Sequence, residues 1–286
     1  MTLGEWSLEP TEVIPVLALT FLYWLRTREL AARGRAVPAP RRTSFYGGML
    51  VGLISLVSPI DWLGENRLLW VHMVQHLMLG DLAPLLIVLG CTGPVLRPLL
   101  AIGWLRPARA LIHPLVALPL WCVDLCVWHL PPLYQAALAD SGIHALEHAC
   151  FAVAGGFMWA AVIEPLPGPV WFGNGWKALY TLAVRGAGIA LANVFIWDRH
   201  VIYRHYMPLD RMAHVASLTD QKIAGLIMFS EGGVVTMLAF AWLFLRYWKE
   251  LEVRQRLVEH DLDEASAARA ARYGRSARVR EVERQN

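Results

Sequence analysis

The sequence predicts an all-α fold, an integral membrane bundle of seven transmembrane helices. Of its 286 residues, 56% are hydrophobic and only 17% are charged. The mean hydropathy is +0.42, which is typical of multi-span membrane proteins rather than of soluble domains. The 13 tryptophans fit aromatic belts at the two membrane interfaces. The net charge is only +3, and we expect membrane lipid rather than nucleic acid as a partner.

Seven apolar segments approach or exceed the length of about 20 residues that is needed to cross the hydrocarbon core. They are residues 11–26, 44–61, 67–91, 111–128, 143–163, 176–197 and 221–247. The second and the fourth are short and contain Pro59, Pro114 and Pro119. We therefore predict a seven-span transmembrane domain over residues 1–248 and a charged cytoplasmic tail over residues 249–286.

The distribution of basic residues between the loops predicts the orientation. The first connection holds six arginines and the third holds Arg97, Arg106 and Arg109, whereas loops 61–66 and 129–142 contain no Lys or Arg. Because cytoplasmic loops carry the excess of Lys and Arg, we predict that the N-terminus lies outside and the C-terminus in the cytoplasm.

Histidines are concentrated on the predicted outer side of the bundle. His72 and His76 lie four residues apart in the third segment, so they share a helix face. His144 and His148 repeat this spacing in the fifth segment, and His129 ends the fourth. Helical rise places the first pair ~8 and ~14 Å, and the second pair ~3 and ~9 Å, below the outer boundary. We predict that these five histidines converge as metal ligands, although hydrogen bonding to neighbouring helices would explain them without a metal.

Other side chains are predicted to surround this set as possible ligands or orienting groups. Asp124 lies level with the histidines, Asp220 begins the last segment, and His205 and His214 lie in the outer connection. Met73 is next to His72 in the sequence, and a thioether selects Cu(I), whereas imidazole suits zinc, copper and iron. The combination favours Cu(I), held transiently.

A second polar pair is predicted deeper in the membrane. Helical rise places Arg185 in the sixth segment and Glu231 in the seventh at similar depth. We interpret them as a structural ion pair that fixes helix register, with Asp81 as a candidate third member. Removal of one partner would affect folding more than chemistry.

Two further functions are compatible with the same residues. The string His144-Ala-Leu-Glu147-His148 fits the H-x-x-E-H signature, in which two histidines bind zinc and the glutamate acts as the base of a metalloprotease. Alternatively, Glu147 orients a neighbouring histidine. Histidines on facing spans would also suit the two axial positions of a b-type haem in an electron carrier.

Several motifs recur together in one known family. They are HMVQHLML followed by LAPLLIVLG, then WHLPPLYQAAL, HALEHACF and DQKIAGLIM. Over most of residues 44–248 the chain resembles the CtaG family of multi-span cytochrome c oxidase assembly factors. The resemblance implies a non-enzymatic, multi-pass protein of the bacterial plasma (inner) membrane that helps deliver copper to a haem–copper oxidase. Oxidase subunits and an extracytoplasmic copper chaperone would be its partners. Carried over by motif, the functional residues would be His72, His76, His129, His144 and His148, with Asp220 and Gln221.

Overall fold

The computed structural model describes residue 6 and residues 8–103, 108–212, 214–260 and 262–273, without the side chains of residues 99, 100, 108 and 210. All regular secondary structure in these ranges is helical, which confirms the all-α prediction. The helices are α1 (Pro10–Ala32), α2 (Ala39–Val57), α3 (Pro59–Asn66), α4 (Leu69–Leu77), α5 (Ala83–Gly90), α6 (Gly93–Ala101), α7 (Ala108–Leu111), α8 (Pro114–Trp128), α9 (Pro131–Ala139), α10 (Ser141–Ile163), α11 (Asn174–Trp197), α12 (Tyr206–Met212), α13 (Ser217–Glu259) and α14 (Glu264–Tyr273).

Between four and six of the described segments are long and apolar enough to cross a membrane. Four are unbent: Leu69–Gly90, α10, α11 and α13. Two more are bent pairs, α2 with α3 at 45° and α8 with α9 at 71°. Together these six correspond to six of the seven predicted spans. Helix α1, which contains the predicted first span 11–26, is not among them.

Prolines explain the two bends. Pro59 begins α3 directly after Ser58, whose hydroxyl accepts a hydrogen bond from the Ile60 amide at 3.3 Å. Pro131 likewise begins α9. Proline is well suited to a first helical turn because its φ is already helical and its missing N–H would have no partner there. The two short helices α3 and α9 therefore turn away from the preceding span, and they pack against α4 and α10, respectively.

The third predicted span is interrupted by a π-helical turn, Met78–Leu82. Such turns widen the backbone locally and are frequent at functional sites. Asp81 lies in this turn, and its Oδ1 accepts a hydrogen bond from Trp159 Nε1 of α10 at 2.6 Å. The turn also packs against the α10 backbone, since a Cβ built on Gly155 would lie 2.0 Å from the Gly80 carbonyl oxygen. Only glycine permits this approach.

The described chain divides into two compact units. The first runs through Gly168 and includes Val184–Gly233, and the second comprises Pro169–Ala183 and the chain from Val234 onward. This division differs in place from the predicted domain boundary at residue 248. In the second unit, Leu257 of α13 and Ala267 of α14 are fully buried in one small apolar cluster. The start of the predicted tail is therefore helical and packed, and residues 274–286 lie outside the described residues.

The contact at Gly155 gives a testable expectation for stability. Gly155→Ala should destabilise the fold by about 1–3 kcal/mol, because the new methyl group overlaps a backbone carbonyl that cannot rotate away. Thermal unfolding in detergent measures the change. Gly156→Ala is the matched control, since nothing lies within 4 Å of a Cβ at that position. Equal midpoints for the two variants would contradict the close approach.

Candidate metal centre

The structure brings the five predicted histidines together in the first unit. All five are buried. Ring centroids are 4.2 Å apart for His72 and His76, 4.0 Å for His144 and His148, 5.4 Å for His72 and His144, and 5.9 Å for His76 and His129. We call these five residues the histidine cluster.

The helix ends set the positions of the rings. α4 carries the first histidine pair and α10 the second, while His129 follows the last residue of α8. α3 closes against α4 at Gly64, where an added Cβ would lie 2.9 Å from the Cα of His72. The bend between α2 and α3 thus lets acidic residues of α3 approach the cluster.

Hydrogen bonds determine which nitrogen of each neutral imidazole carries the proton at His72 and His76. The Tyr206 hydroxyl donates to the Gly64 carbonyl at 2.8 Å, so it accepts from His72 Nδ1 at 3.2 Å. His72 Nε2 is then an acceptor, and His76 Nε2 donates to it at 2.6 Å. His76 Nδ1 is left with a free lone pair. It has no hydrogen-bond partner among the described residues.

The other three rings are oriented in the same way. His129 Nδ1 donates to the Leu125 carbonyl at 2.8 Å, His144 Nδ1 contacts Glu65 at 2.5 Å, and His148 Nδ1 contacts Glu12 at 3.2 Å. Within the described part of the chain, the Nε2 atom of each of these rings is buried and has no hydrogen-bond partner. A carboxylate or carbonyl on one ring nitrogen is the usual way to present the other nitrogen to a metal.

Three groups of side chains have ligand atoms within 4.8 Å of one another: His72 with His76 and His148, Asp61 with His144 and His148, and His72 with His144 and Glu147. Glu147 is fully buried, and neither of its oxygens has a hydrogen-bond partner among the described residues. Buried polar atoms are normally paired, so the unpaired oxygens of Glu147 fit a bound cation. The all-imidazole group suits copper, and the group with Asp61 is typical of zinc.

The spacing of His72 and His76 places one condition on metal binding. Two nitrogens on one tetrahedral ion lie about 3.3 Å apart, given bonds of about 2.0 Å. Their Nε2 atoms are 2.6 Å apart, which is a hydrogen-bond distance. These two rings must therefore separate slightly before both can bind the same ion.

Two methionines reach the cluster from its apolar side. A small cavity of about 60 Å³ is lined in part by Met73, Met228, His76 and His129. Met73 is buried, and the thioethers of both methionines face the same space as two of the rings.

The remaining predicted residues lie outside the three groups. Asp220 accepts hydrogen bonds from the backbone amides of Leu69 at 2.7 Å and Trp70 at 3.1 Å, so it anchors the start of α4. His205 donates to the Glu65 carbonyl at 3.0 Å at the edge of the cluster. His214 is exposed.

Asp124 and Gln221 also lie outside the three groups of potential ligands. Asp124 is half-buried, and its Oδ2 has no hydrogen-bond partner in the described ranges. The orienting role expected of Asp124 falls instead to Glu65 and Glu12, because they contact the histidine Nδ1 atoms. Gln221 accepts from the Ile202 amide at 2.9 Å and donates to the His200 carbonyl at 3.2 Å, which fixes the preceding connection.

Arg185 and Glu231, the predicted ion pair, do not form a direct salt bridge in the described contacts. Arg185 donates to the carbonyls of Met228, at 3.4 Å, and Phe229. Glu231 Oε2 is buried without a hydrogen-bond partner among the described residues. Arg185, Asp81 and Glu231 nevertheless lie close enough to interact electrostatically, so all three belong to one charged group.

Three acidic side chains and two tyrosines that contact the histidine cluster were not predicted from the sequence. Glu12, Asp61 and Glu65 supply carboxylates, while Tyr134 and Tyr206 are buried against His72. A signal existed for Asp61 and Glu65, since loop 61–66 contains acids and no basic residue. Nothing in the sequence pattern indicated that α1 would bring Glu12 to His148.

Comparison with known proteins identifies one family. The family model for the cytochrome c oxidase caa3 assembly factor (Caa3_CtaG) matches residues 21–250. The match includes α2 to α12 with all five histidines of the cluster. No curated protein and no solved structure matches the chain.

The role of Asp220 can be separated from that of a metal ligand. Asp220→Ala should lower the free energy of unfolding by about 0.5–2 kcal/mol, because two amides at the start of α4 lose their acceptor. Metal stoichiometry, measured by elemental analysis of the folded fraction, should stay unchanged. A loss of metal with an unaltered thermal midpoint would instead identify Asp220 as a ligand.

Proposed function

Because the chain belongs to the cytochrome c oxidase caa3 assembly factors, we propose that it serves oxidase assembly by holding Cu(I) in the histidine cluster. The ion is cargo on its way to an oxidase copper centre. The protein is thus a carrier rather than an enzyme, with oxidase subunits and an extracytoplasmic copper chaperone as its partners.

One observation carries this proposal: four buried imidazole nitrogens have no hydrogen-bond partner among the described residues. They are His76 Nδ1 and the Nε2 atoms of His129, His144 and His148. Leaving buried polar atoms unpaired costs free energy, about 1–3 kcal/mol each, so such a set is expected where a cation compensates. Met73 and Met228 beside two of these rings favour a soft ion.

The proposed topology has seven spans, with the N-terminus outside and the C-terminus in the cytoplasm of a bacterial cell. Two contacts of α1 support counting it as a span. Glu12 near its start contacts His148 in the cluster, and Arg26 near its end donates to the Pro94 carbonyl after α5. Since α5 leads away from the cluster, α1 runs from the outer side to the arginine-rich side.

Cargo must also leave, and the hydrogen-bonding pattern supports exchange rather than permanent binding. The Nε2 atoms of His72 and His76 lie 2.6 Å apart and share a hydrogen bond, which metal binding through both atoms would break. If the His72–His76 hydrogen bond re-forms when the ion leaves, releasing the ion costs less free energy than releasing it from a rigid site that gains no such bond. The connection over residues 198–220 supplies Tyr206, which contacts His72. We therefore propose that this connection either contacts the oxidase or controls access to the metal site.

A zinc-dependent hydrolase is the second candidate, favoured by one group of residues. Asp61, His144 and His148 supply a carboxylate and two imidazoles whose ligand atoms lie within 4.8 Å of one another. This is the donor set of catalytic zinc. Glu147 belongs to another of the three groups and shares His144 with this one. No observation on the described residues favours the haem alternative, and neighbouring histidine rings there pack directly against one another, with centroids 4.0–6.0 Å apart.

The central test removes single imidazoles. His76→Ala and His148→Ala should each lower anaerobic Cu(I) affinity at least tenfold and strongly reduce oxidase copper content and activity, because each ring contributes a free lone pair. Membrane levels of the protein should persist. His200→Ala is the matched control, since that side chain is 92% exposed in the same outer region.

Normal oxidase maturation with both cluster variants would contradict the proposal. Equal loss with the His200 control would assign the effect to the outer surface rather than to the cluster. A Soret band in the purified protein would identify haem instead of copper.

Glu147→Gln separates the carrier from the hydrolase. For a carrier, the variant should retain at least part of its oxidase-maturation activity, because a neutral amide leaves the imidazole lone pairs in place. For a zinc hydrolase, it should keep the metal and lose all turnover, because the general base is gone. Elemental analysis and oxidase activity measured on the same membranes distinguish the two.

A further inference from the structure

A large apolar groove lies apart from the histidine cluster, in the first unit. Its volume is about 640 Å³, and α1, α2, α5 and α6 form its walls. The lining residues are Leu19, Leu22, Tyr23, Leu25, Arg26, Glu29, Phe45, Met49, Ile87, Cys91, Val95, Leu96 and Pro98. This volume is in the range of specific small-molecule and lipid sites.

The groove is apolar along most of its length and polar at one end. Leu19 and Met49 lie at the apolar end. Arg26 and Glu29 lie further along α1 and form the polar end. From Leu19 to Glu29 the helix rises about 15 Å, which is half of a hydrocarbon core of about 30 Å. The groove thus has the length of one membrane leaflet.

The polar end is strongly basic. Residues 26–42 contain six arginines and one glutamate, Glu29. Glu29 is already paired with Arg26 and Arg33. Arg41 uses only Nη1 to bond the carbonyls of Leu89 and Cys91, so in the described structure its other donors are available.

Two more arginines stand at this end. Arg42 is exposed and, like Arg41, acts electrostatically on Tyr23 in the groove. Arg97 is exposed on α6 between the lining residues Leu96 and Pro98. An anionic phospholipid has apolar acyl chains and a negatively charged headgroup. The apolar groove, one leaflet long, suits an acyl chain, and the arginines at its polar end suit the headgroup.

We infer that this groove binds one anionic phospholipid, with an acyl chain between α1, α2 and α5 and its phosphate on Arg41 and Arg42. The stacked rings of Tyr23 and Phe45, 3.6 Å apart, form the floor on which the chain lies. The Tyr23 hydroxyl donates to the Gly90 carbonyl at 3.0 Å, so the floor presents carbon rather than an unpaired polar group. This inference does not depend on the copper proposal.

Arg42→Gln tests the headgroup contact. The Arg42 side chain makes no hydrogen bond in the described structure, so the variant should fold. The purified full chain is mixed with micelles containing phosphatidylglycerol or phosphatidylcholine, and retained lipid is counted by native mass spectrometry. Wild type should retain phosphatidylglycerol preferentially. Arg42→Gln should weaken that retention about fivefold, and Arg41→Gln with Arg42→Gln further. Arg204→Gln, an exposed arginine of the connection before α12, is the control.

Leu22→Trp tests the acyl chain contact by filling the groove. It should reduce retention, whereas Leu17→Trp should not, because Leu17 is equally exposed on α1 (56% against 59%) but does not line the groove. Inorganic phosphate at millimolar concentration should leave retention unchanged, since the site requires an acyl chain. Equal retention of the two lipids, no effect of the Arg42 variant, or equal effects of the two tryptophans would each overturn the inference.

Discussion

The burial of five imidazoles between helix ends is the constraint on which the rest of this structure depends. A buried ring nitrogen needs a partner, and helices crossing a membrane have already used their own backbone groups. The chain meets this requirement on one nitrogen of each ring, and for His72, His144 and His148 it does so with Tyr206, Glu65 and Glu12. In the part of the chain that the structure describes, the opposite nitrogen of four rings has no hydrogen-bond partner. That asymmetry connects the fold to the proposed carrier role.

Irregular helix geometry makes the burial feasible. The prolines that begin α3 and α9 let short helices turn back along the cluster, so Asp61, Glu65 and Tyr134 reach histidines that straight helices would leave facing apolar neighbours. The π-helical turn after α4 and the glycine contact at Gly155 draw α4 and α10 together. This close approach fixes the position of the two histidine pairs relative to each other.

The two ends of the first unit have different chemistry. One end gathers histidines and carboxylates, and the other carries the arginines that bond to the carbonyls after α5. In the proposed carrier, the acidic, imidazole-rich end would receive the cation. In the proposed topology, the arginines at the opposite end would face the anionic cytoplasmic leaflet.

The helical class and the two histidine pairs could be predicted from the sequence, because hydrophobic length and the spacing of four residues are local properties of a helix. The family was recognised from its motifs. Which group pairs with each ring depends on how distant helices pack together. Glu12 lies 136 residues from His148 and Asp220 lies 151 residues from Leu69, and helical periodicity carries no information about such distances. For the same reason, Asp220 proved to anchor the start of α4, and Glu65 and Glu12 hold the histidines that Asp124 was expected to orient.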